Sequence, residues 1–289
     1  MKSPSAPRPT VIVLHITKTA GTTLARVAQQ QYPAPGFLRS DYDFDAFEAR
    51  LASMPDADKR AIDCLFGHMA FGLHRWLPRP AVYVTLLREP VDRVISHYYY
   101  ALHATDHPLN RRVVDEGMTL EDYLVSGILD ELNDGQVRRL SGARDEAIPY
   151  GSVPPELLEV AKRNLREHFA AVGLTERFDE SLLVFSRALG WRNVHYVTLN
   201  VTPGRPLRSR VPAALRQLIE RYNPLDAELY AYARELFNDQ LSRYEITPAV
   251  VMRFRVSRRY RSLRQRIARL ARRRRGLPGV ARVRRGGPA

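Results

Sequence analysis

The stretch VIVLHITKTAGTTLARVAQQQ, residues 11–31, decides the fold of this chain. Its first four residues are an uninterrupted apolar run, which is typical of a strand buried in a parallel sheet. A short turn with Lys18 and Gly21 follows, and a helix is predicted from about residue 22 to residue 31. This order directs backbone N–H groups and the positive end of a helix at one point. We therefore predict a site for phosphate or a similar oxyanion, whereas an ordinary strand–helix turn is the plainer alternative.

The rest of the chain continues the alternation of strands and helices. Further strands are predicted at residues 81–87, 170–174 and 195–199. Helices are predicted at residues 90–103, 155–168, 176–189, 212–222 and 225–241, and loops at residues 104–118 and 141–154. Such alternation predicts an α/β protein, a three-layer sandwich with a central, mostly parallel sheet flanked by helices.

Composition excludes several classes of protein. Of 289 residues, 45% are apolar and 26% are charged, which excludes a wholly disordered chain, a collagen and a membrane bundle. No apolar run approaches the length of a transmembrane helix. Residues 1–9 are polar and are expected to be disordered, with no secretory signal. The single cysteine, Cys64, cannot form an internal disulfide, so we predict a cytoplasmic location.

The net charge of +14 belongs to the C-terminal tail. From Arg253 onward there are fifteen arginines and no acidic residue, whereas residues 1–252 carry 30 basic and 31 acidic side chains. Apolar residues recur in the tail at helical spacing, and Gly276 and Pro278 are predicted to end the helix; the apolar positions are Val256, Tyr260, Leu263, Ile267 and Leu270. We predict a catalytic domain at residues 10–248 and an arginine-rich amphipathic tail at residues 249–289.

Two further segments carry candidate functional residues. Arg88 follows the strand predicted at residues 81–87, at the sheet edge where ligands bind in α/β proteins. Ser96 lies about two turns into the next helix, so both side chains fit a second phosphate, although a surface ion pair would also explain Arg88. His68 follows an apolar segment and is a candidate general base. His15 and His97 compete for that role, and their position in the sequence does not separate the three.

Three segments together resemble a known family. HITKTAGTTL (15–24), FGHM (66–69) and LREPVDRVISHYYY (87–100) resemble motifs of the sulfotransferases, in particular the branch with heparan sulfate 2-O-sulfotransferase and its bacterial relatives. Later segments resemble further blocks of that branch in the expected order: LNDGQVRRLSG (132–142), VGLTERFDESL (172–182), LNVTPGRP (199–206) and NPLDAELYAYARELF (223–237). The resemblance covers roughly residues 10–243.

The resemblance implies a P-loop-like fold, a donor and a set of roles. The donor is 3′-phosphoadenosine 5′-phosphosulfate, and no metal is expected. The loop for its 5′-phosphosulfate comprises Lys18, Thr19, Ala20, Gly21, Thr22 and Thr23, while Arg88 and Ser96 hold its 3′-phosphate. His68 matches the catalytic base and Lys18 also acts in catalysis. Arg138 matches a substrate-binding residue, and the loop at residues 200–205 is expected to close over the nucleotide.

The chain departs from the family pattern at two positions. Thr17 stands where the family usually has proline, and Phe66 stands where the branch often has a histidine. The first change is a modest departure, because threonine can still make the turn. The second leaves His68 in place and bears on the acceptor pocket. The expected acceptor is a hydroxyl of a carbohydrate or glycolipid, whose identity the sequence does not give.

Two alternatives concern other functions. A nucleotide kinase of the P-loop type would need Gly-x-x-x-x-Gly-Lys-Ser/Thr, whereas Lys18 precedes Gly21 here. The arginine-rich tail could serve a nucleic-acid-binding protein, but its apolar stripe fits the surface of an anionic membrane better. We therefore expect residues 253–275 to make peripheral contact with the inner face of a membrane, and a solvated appendage is the plainer alternative.

Overall fold

Five parallel strands form the sheet in the described part of the chain. A computed structural model describes residues 8–40, 43–143, 148–197 and 204–274, with side chains up to residue 261. The strands are β1 (Thr10–Leu14), β2 (Phe37–Arg39), β3 (Cys64–Gly67), β4 (Ala81–Leu87) and β5 (Phe169–Leu174). Their order in the sheet is β2-β3-β1-β4-β5, and every pair is parallel. All five residues of β1 are buried, as expected of a strand covered on both faces.

Helices flank the sheet in the first of two compact units, residues 1–246. They are α1 (Gly21–Gln31), α2 (Phe44–Ser53), α3 (Asp56–Arg60), α4 (Pro90–His103), α5 (Asn110–Asp115), α6 (Leu120–Val125), α7 (Gly135–Ser141), α8 (Glu156–His168), α9 (Phe178–Leu189), α10 (Ala213–Tyr222) and α11 (Pro224–Arg243). The second unit, residues 247–289, contains α12 (Pro248–Arg274). No helix among the described residues has both the length and the apolar composition needed to cross a bilayer.

The predicted α/β architecture is confirmed, and the strands predicted at residues 11–14, 81–87 and 170–174 are present. The predicted helices also form, with bounds that shift by at most a few residues. Local rules explain α4 well: Pro90 lies in its first turn and the Glu89 carboxylate accepts a hydrogen bond of 2.8 Å from the backbone N–H of Asp92.

Two predicted elements are wrong. Residues 195–197 form no strand, and residues 198 and 199 lie outside the described part of the chain. The backbone N–H of Val172 in β5 instead donates to Oε1 of Gln240 in α11 at 3.0 Å, so a helix covers this sheet edge. The loop predicted at residues 104–118 contains α5. Its first residue, Asn110, donates through its side-chain amide to the carbonyl groups of Ala101 and Leu102, at the end of α4.

The two short strands β2 and β3 were not predicted from the sequence. β3 joins β1 to β2, with Leu14 opposite Gly67 and Arg39 opposite Phe66. This places the ends of β1, β2 and β3 at one edge of the sheet. The loop predicted at residues 141–154 has no strand or α-helix beyond Ser141 among the described residues, and the predicted helix end at residues 276–278 lies outside them.

Candidate active site

The candidate site lies where the strands end. The chain returns to the sheet on one side of β1 through β2 and β3 and on the other through β4 and β5, so the strand order reverses beside β1. Ligands of open α/β sheets bind outside the carboxyl ends of the strands at such a point. The first residues after β1, β3 and β4 are His15, His68 and Arg88, all predicted as candidates or as part of a candidate motif.

The turn between β1 and α1 has the shape of an anion cradle. Lys18 and Ala20 both adopt the left-handed conformation, with φ of 63° and 62°. Thr19 is buried and its hydroxyl donates to the carbonyl of Ile16 at 2.7 Å, which holds the turn closed. Among the described residues, none accepts a hydrogen bond from the backbone N–H groups of residues 18–21. These donors therefore suit a bound oxyanion.

Three cationic side chains converge beside this turn. Nη1 of Arg88 donates to the carbonyl of Lys18 at 2.9 Å, and the Lys18 ammonium lies 3.5 Å from the centre of the Tyr100 ring. Burial, together with the charges of Arg88 and Arg205, lowers the pKa of Lys18 to about 7. Burial, followed by the charge of Arg205, lowers the pKa of Arg88 to about 10. Like charges held this close favour a bound anion.

The hydrogen bonds of these arginines support the same interpretation. The backbone of Arg88 is fixed by the side-chain amide of Gln136, which accepts from its N–H and donates to its carbonyl, both at 2.9 Å. Nη2 of Arg205 donates to Oδ1 of Asp92 at 2.9 Å. The Nε atoms of both arginines are buried, and no described residue accepts a hydrogen bond from either. A bound phosphate would supply the acceptors.

The remaining donor-site candidates lie on the helices around the turn. Gly21 is the first residue of α1, Thr22 is exposed in its first turn and Thr23 is buried beneath it. Ser96 is buried on α4, one turn beyond Asp92, the residue that contacts both Arg88 and Arg205. Their predicted roles in binding the donor remain predictions.

The structure distinguishes His97 from the other two histidines. His97 is buried, and its two ring nitrogens lie 2.9 Å from the hydroxyl of Tyr123 and 2.9 Å from Oε1 of Glu131, which gives it a structural role. The His15 ring packs beneath the turn, because a Cβ atom on Gly21 would lie 1.9 Å from its Nε2 atom. His15 and His68 are both partly exposed beside the turn, so of the three histidines only His97 is enclosed.

His68 is partly exposed beside His15, with the ring centres 4.6 Å apart. Burial lowers the pKa of His68; the carboxylate of Glu131 opposes this change, and the charges of Arg139 and Arg39 add to it. The imidazole is consequently neutral at pH 7, the form that accepts a proton. Its role as base remains a prediction.

Arg138 lies deep in the protein, and its surroundings differ from those of a ligand-binding residue. It is 1% exposed, and it donates to the backbone carbonyls of Asn133, Ile148 and Pro149 at 3.0–3.1 Å. These hydrogen bonds hold together the segments that precede and follow α7. The predicted contact between Arg138 and substrate remains a prediction without support from this geometry.

Sequence reasoning missed Glu131 and gave Arg205 no site role. Glu131 lies in a short 3₁₀ turn, Asp130–Leu132, and it contacts residues 114 and 34 positions away in the chain. No local sequence pattern predicts contacts between residues this far apart in the chain. Arg205 lies at the end of the loop expected to close over the nucleotide, and residues 200–203 of that loop are outside the described part of the chain. Among the described residues there is no group of three or more His, Cys, Asp or Glu side chains able to hold a metal ion.

This geometry defines an α/β protein with a candidate anion site at the carboxyl edge of its sheet. Comparison with known proteins adds a family. Residues 142–279 match the family model for galactose-3-O-sulfotransferase. Galactose-3-O-sulfotransferase 3 of Bos taurus is 30% identical over 269 residues, which cover 81% of this chain and 58% of that protein. The human protein of the same name is 30% identical over 292 residues, 92% of this chain and 64% of that protein. Human heparan-sulfate 6-O-sulfotransferase 2 is 28% identical over 279 residues, 81% of this chain and 45% of that protein.

These similarities confirm the relationship of the chain to the sulfotransferase family. They do not confirm the branch of heparan sulfate 2-O-sulfotransferase, since the relatives above act at other positions by name. The chain spans between 45% and 64% of the length of these relatives. The match to the family model begins at residue 142 and so does not include the turn, His68 or Arg88.

Proposed function

We propose that this protein transfers a sulfuryl group from 3′-phosphoadenosine 5′-phosphosulfate to a hydroxyl group of a carbohydrate or glycolipid. The observation that carries the proposal is the cluster of Lys18, Arg88 and Arg205 beside a turn with unused backbone donors. Sulfotransferase relatives named for galactose and heparan sulfate support a glycan acceptor. The relatives extend beyond the matched region, so the reaction and its acceptor are both parts of the proposal.

The chain's own residues divide into two groups around the donor. The turn from Lys18 to Thr23 would hold the 5′-phosphosulfate, and Arg88 with Ser96 would hold the 3′-phosphate. When bound, the donor supplies an electrophilic sulfur and a nucleotide as leaving group. Lys18 and the N–H groups of the turn would stabilise negative charge on the phosphate oxygens. A phosphate group of the donor would also supply acceptors for the buried Nε atoms of Arg88 and Arg205.

His68 would act on the other reactant. A hydroxyl group is a poor nucleophile at pH 7, so its proton must leave as the new bond forms. A neutral imidazole at the end of β3 is suited to accept that proton. The side chain of His68 is partly exposed beside the turn, as is that of His15, and the resemblance to the family favours His68 as the base.

The test is calorimetric titration with 3′-phosphoadenosine 5′-phosphate, the product of the donor, with ATP and ADP as controls. We expect metal-independent binding of the 3′-phosphorylated nucleotide, strongly weakened in Arg88→Ala. Arg166→Ala, an exposed arginine on α8, is the matched control and should bind as the wild type does. A preference for ATP with Mg²⁺ would contradict the proposal and favour a kinase.

A second proposal concerns the tail. We propose that α12 contacts an anionic membrane surface, because Met252, Val256 and Tyr260 are 60%, 59% and 61% exposed and recur every four residues on one helix face. Arginines occupy the neighbouring positions. A nucleic-acid arm would not need this apolar face, whereas an interfacial helix does. A cytoplasmic location remains a prediction.

Cosedimentation with phosphatidylserine vesicles tests the tail. Binding should fall with added salt, and Val256→Asp should weaken it, because the substitution places an acid on the apolar face. Val114→Asp, at an exposed valine on α5, is the matched control. Equal binding to neutral vesicles would contradict an electrostatic contact. Binding to duplex DNA, with no effect of Val256→Asp, would favour the nucleic-acid alternative.

A further inference from the structure

One carboxylate connects the turn between β1 and α1 to the interior of the protein. This turn, residues 15–20, is called the donor turn below. Oε2 of Glu131 accepts a hydrogen bond of 2.6 Å from the hydroxyl of Thr17, in the turn itself. Its other oxygen, Oε1, lies 2.9 Å from Nε2 of His97 on α4. Hydrogen bonds to an ionised carboxylate are among the stronger ones in proteins. The pair of contacts therefore ties the turn after β1 to the helix after β4.

The far end of this connection is held firmly. Nδ1 of His97 lies 2.9 Å from the hydroxyl of Tyr123, and both side chains are buried. Nη2 of Arg93, which is fully buried, donates to the backbone carbonyl of Glu131 at 2.6 Å. Glu131 itself is thus fixed through its main chain and its side chain. Thr17 is the one member of the chain of contacts that belongs to the donor turn.

We propose that Glu131 is a positioning residue for sulfuryl transfer, which holds the donor turn through Thr17 and brings a negative charge up to that turn. The proposal rests on the proposed function. It also accounts for the departure from the family pattern at position 17. Proline would fix the turn through its ring. Threonine instead supplies a hydroxyl, which donates a hydrogen bond to the carboxylate of Glu131.

The charge of Glu131 acts on both halves of the site. Burial alone would raise the pKa of Glu131, but the hydrogen bond from His97 and the charges of His97, Arg139 and Arg93 hold it well below its usual value. The ionised carboxylate raises the pKa of both His68 and Lys18. The other charged groups around them, Arg139 and Arg39 near His68 and Arg88 and Arg205 near Lys18, act in the opposite direction.

Two substitutions of Thr17 test its hydrogen bond to Glu131, called the tether below, without changing the charge of Glu131. Thr17→Val removes the hydroxyl and leaves every charge in place, whereas Thr17→Ser keeps the hydroxyl. We expect Thr17→Val to weaken binding of 3′-phosphoadenosine 5′-phosphate by roughly tenfold, the factor that corresponds to one hydrogen bond to a charged group, and Thr17→Ser to restore it. Calorimetry provides this readout without an acceptor.

Glu131→Gln removes the charge. We expect the pKa of the His68 imidazole to fall in this variant, measured in the free protein by an NMR titration and assigned with His68→Asn. Thr17→Val should leave that pKa unchanged. Glu235→Gln, an exposed acid on α11, is the matched control for both readouts.

The outcomes are distinct. If the wild type does not bind the nucleotide, the proposed function fails, and the NMR titration still tests the action of Glu131 on His68. If the wild type binds and Thr17→Val binds equally well, the tether is overturned. An unchanged pKa of His68 in a folded Glu131→Gln protein would overturn the electrostatic part. Should Glu131→Gln not fold, the pair of Thr17 variants still decides the tether.

Discussion

At the scale of single residues, the site is built from charges that are costly without a ligand. Arg88 is 8% exposed, and the Lys18 ammonium lies against an aromatic ring rather than against a carboxylate. Buried cations are normally paired; here burial, with the charge of Arg205 in addition, lowers the pKa of both. The free energy lost in this way is recovered when an anion binds, so the same residues disfavour the empty state and favour the bound one.

Lys18 should couple nucleotide binding to proton uptake. With a pKa of about 7 in the free protein, its amine is mostly neutral at pH 8, and a bound phosphate raises that pKa. Affinity for 3′-phosphoadenosine 5′-phosphate should therefore fall as the pH rises from 7 to 9. Titrations in buffers of different ionisation enthalpy measure the proton directly. In Lys18→Arg, which stays charged, the uptake at pH 8 should vanish; uptake of the same size would contradict the assignment.

His68 should be the residue whose loss most affects turnover. His68→Ala removes the proposed base, and we expect kcat to fall by roughly 10²–10⁴-fold, the usual contribution of general base catalysis. Affinity for the nucleotide should change little, because His68 acts on the acceptor. His168→Ala, an exposed histidine on α8, serves as control. Turnover close to that of the wild type in His68→Ala would remove His68 from this role.

At the scale of elements, the turn between β1 and α1 requires glycine for a steric reason. The backbone of Gly21 is not in the left-handed region, so conformational freedom does not explain the need for glycine. The ring of His15 occupies the space of a side chain, with Nε2 only 1.9 Å from the position of a Cβ atom. His15 thereby sets the distance between the end of β1 and the N-terminus of α1.

Gly21→Ala should destabilise the protein and weaken nucleotide binding. Overpacking of this kind costs about 1–3 kcal/mol, which outweighs the gain of up to about 1 kcal/mol when alanine replaces a helical glycine. Denaturant unfolding and nucleotide titration measure the two effects. The double variant Gly21→Ala with His15→Ala is the control, since removal of the ring should recover most of the stability. A single variant as stable as the wild type would contradict the steric account.

At the scale of the whole molecule, a buried ionic network joins three distant parts of the chain. Arg93 and Asp226 are both 0% exposed, with Nη2 and Oδ2 3.5 Å apart. Asp226 also accepts hydrogen bonds from the backbone N–H groups of Gln136 and Val137, at the N-terminus of α7. Its own N–H donates to Asp134, so α4, α7 and α11 meet at one point. The side chain of Gln136 then fixes the backbone of Arg88.

Asp226→Ala should lower the free energy of unfolding by about 3–5 kcal/mol, the cost of leaving one member of a buried ion pair uncompensated. The loss is large because Arg93 would be left without the carboxylate and the first turn of α7 without an acceptor. Urea unfolding gives the value. Asp239→Ala, at an exposed position on the same helix, should change the stability by less than about 0.5 kcal/mol. Equal stability of the two variants would show that the network contributes little.

Much of the fold and part of the site followed from the sequence. The bounds of β4 and α4 were predicted as they stand, because an apolar β-branched run and a proline in a first helical turn are local signals. The positions of the turn at residues 18–23, of Arg88 and of His68 relative to the strands were also predicted, while their roles stay predictions. The short strands β2 and β3 were not predicted, because three or four residues are too few to show the apolar periodicity of a strand.

The sequence by itself determined the order of the predicted helices and most strands, the position of the turn that we propose binds an anion, and the contrast between a near-neutral body and a basic tail. Only the tertiary structure decided that His97 is buried against Tyr123, that Arg138 is enclosed by backbone carbonyls, and that Glu131 lies between Thr17 and His97. The physical reason is the range of the interactions. Backbone propensities and apolar periodicity act over a few residues. The burial of Arg138 and the hydrogen bonds of Glu131, to residues 114 and 34 positions away, exist only once the sheet and helices have packed together.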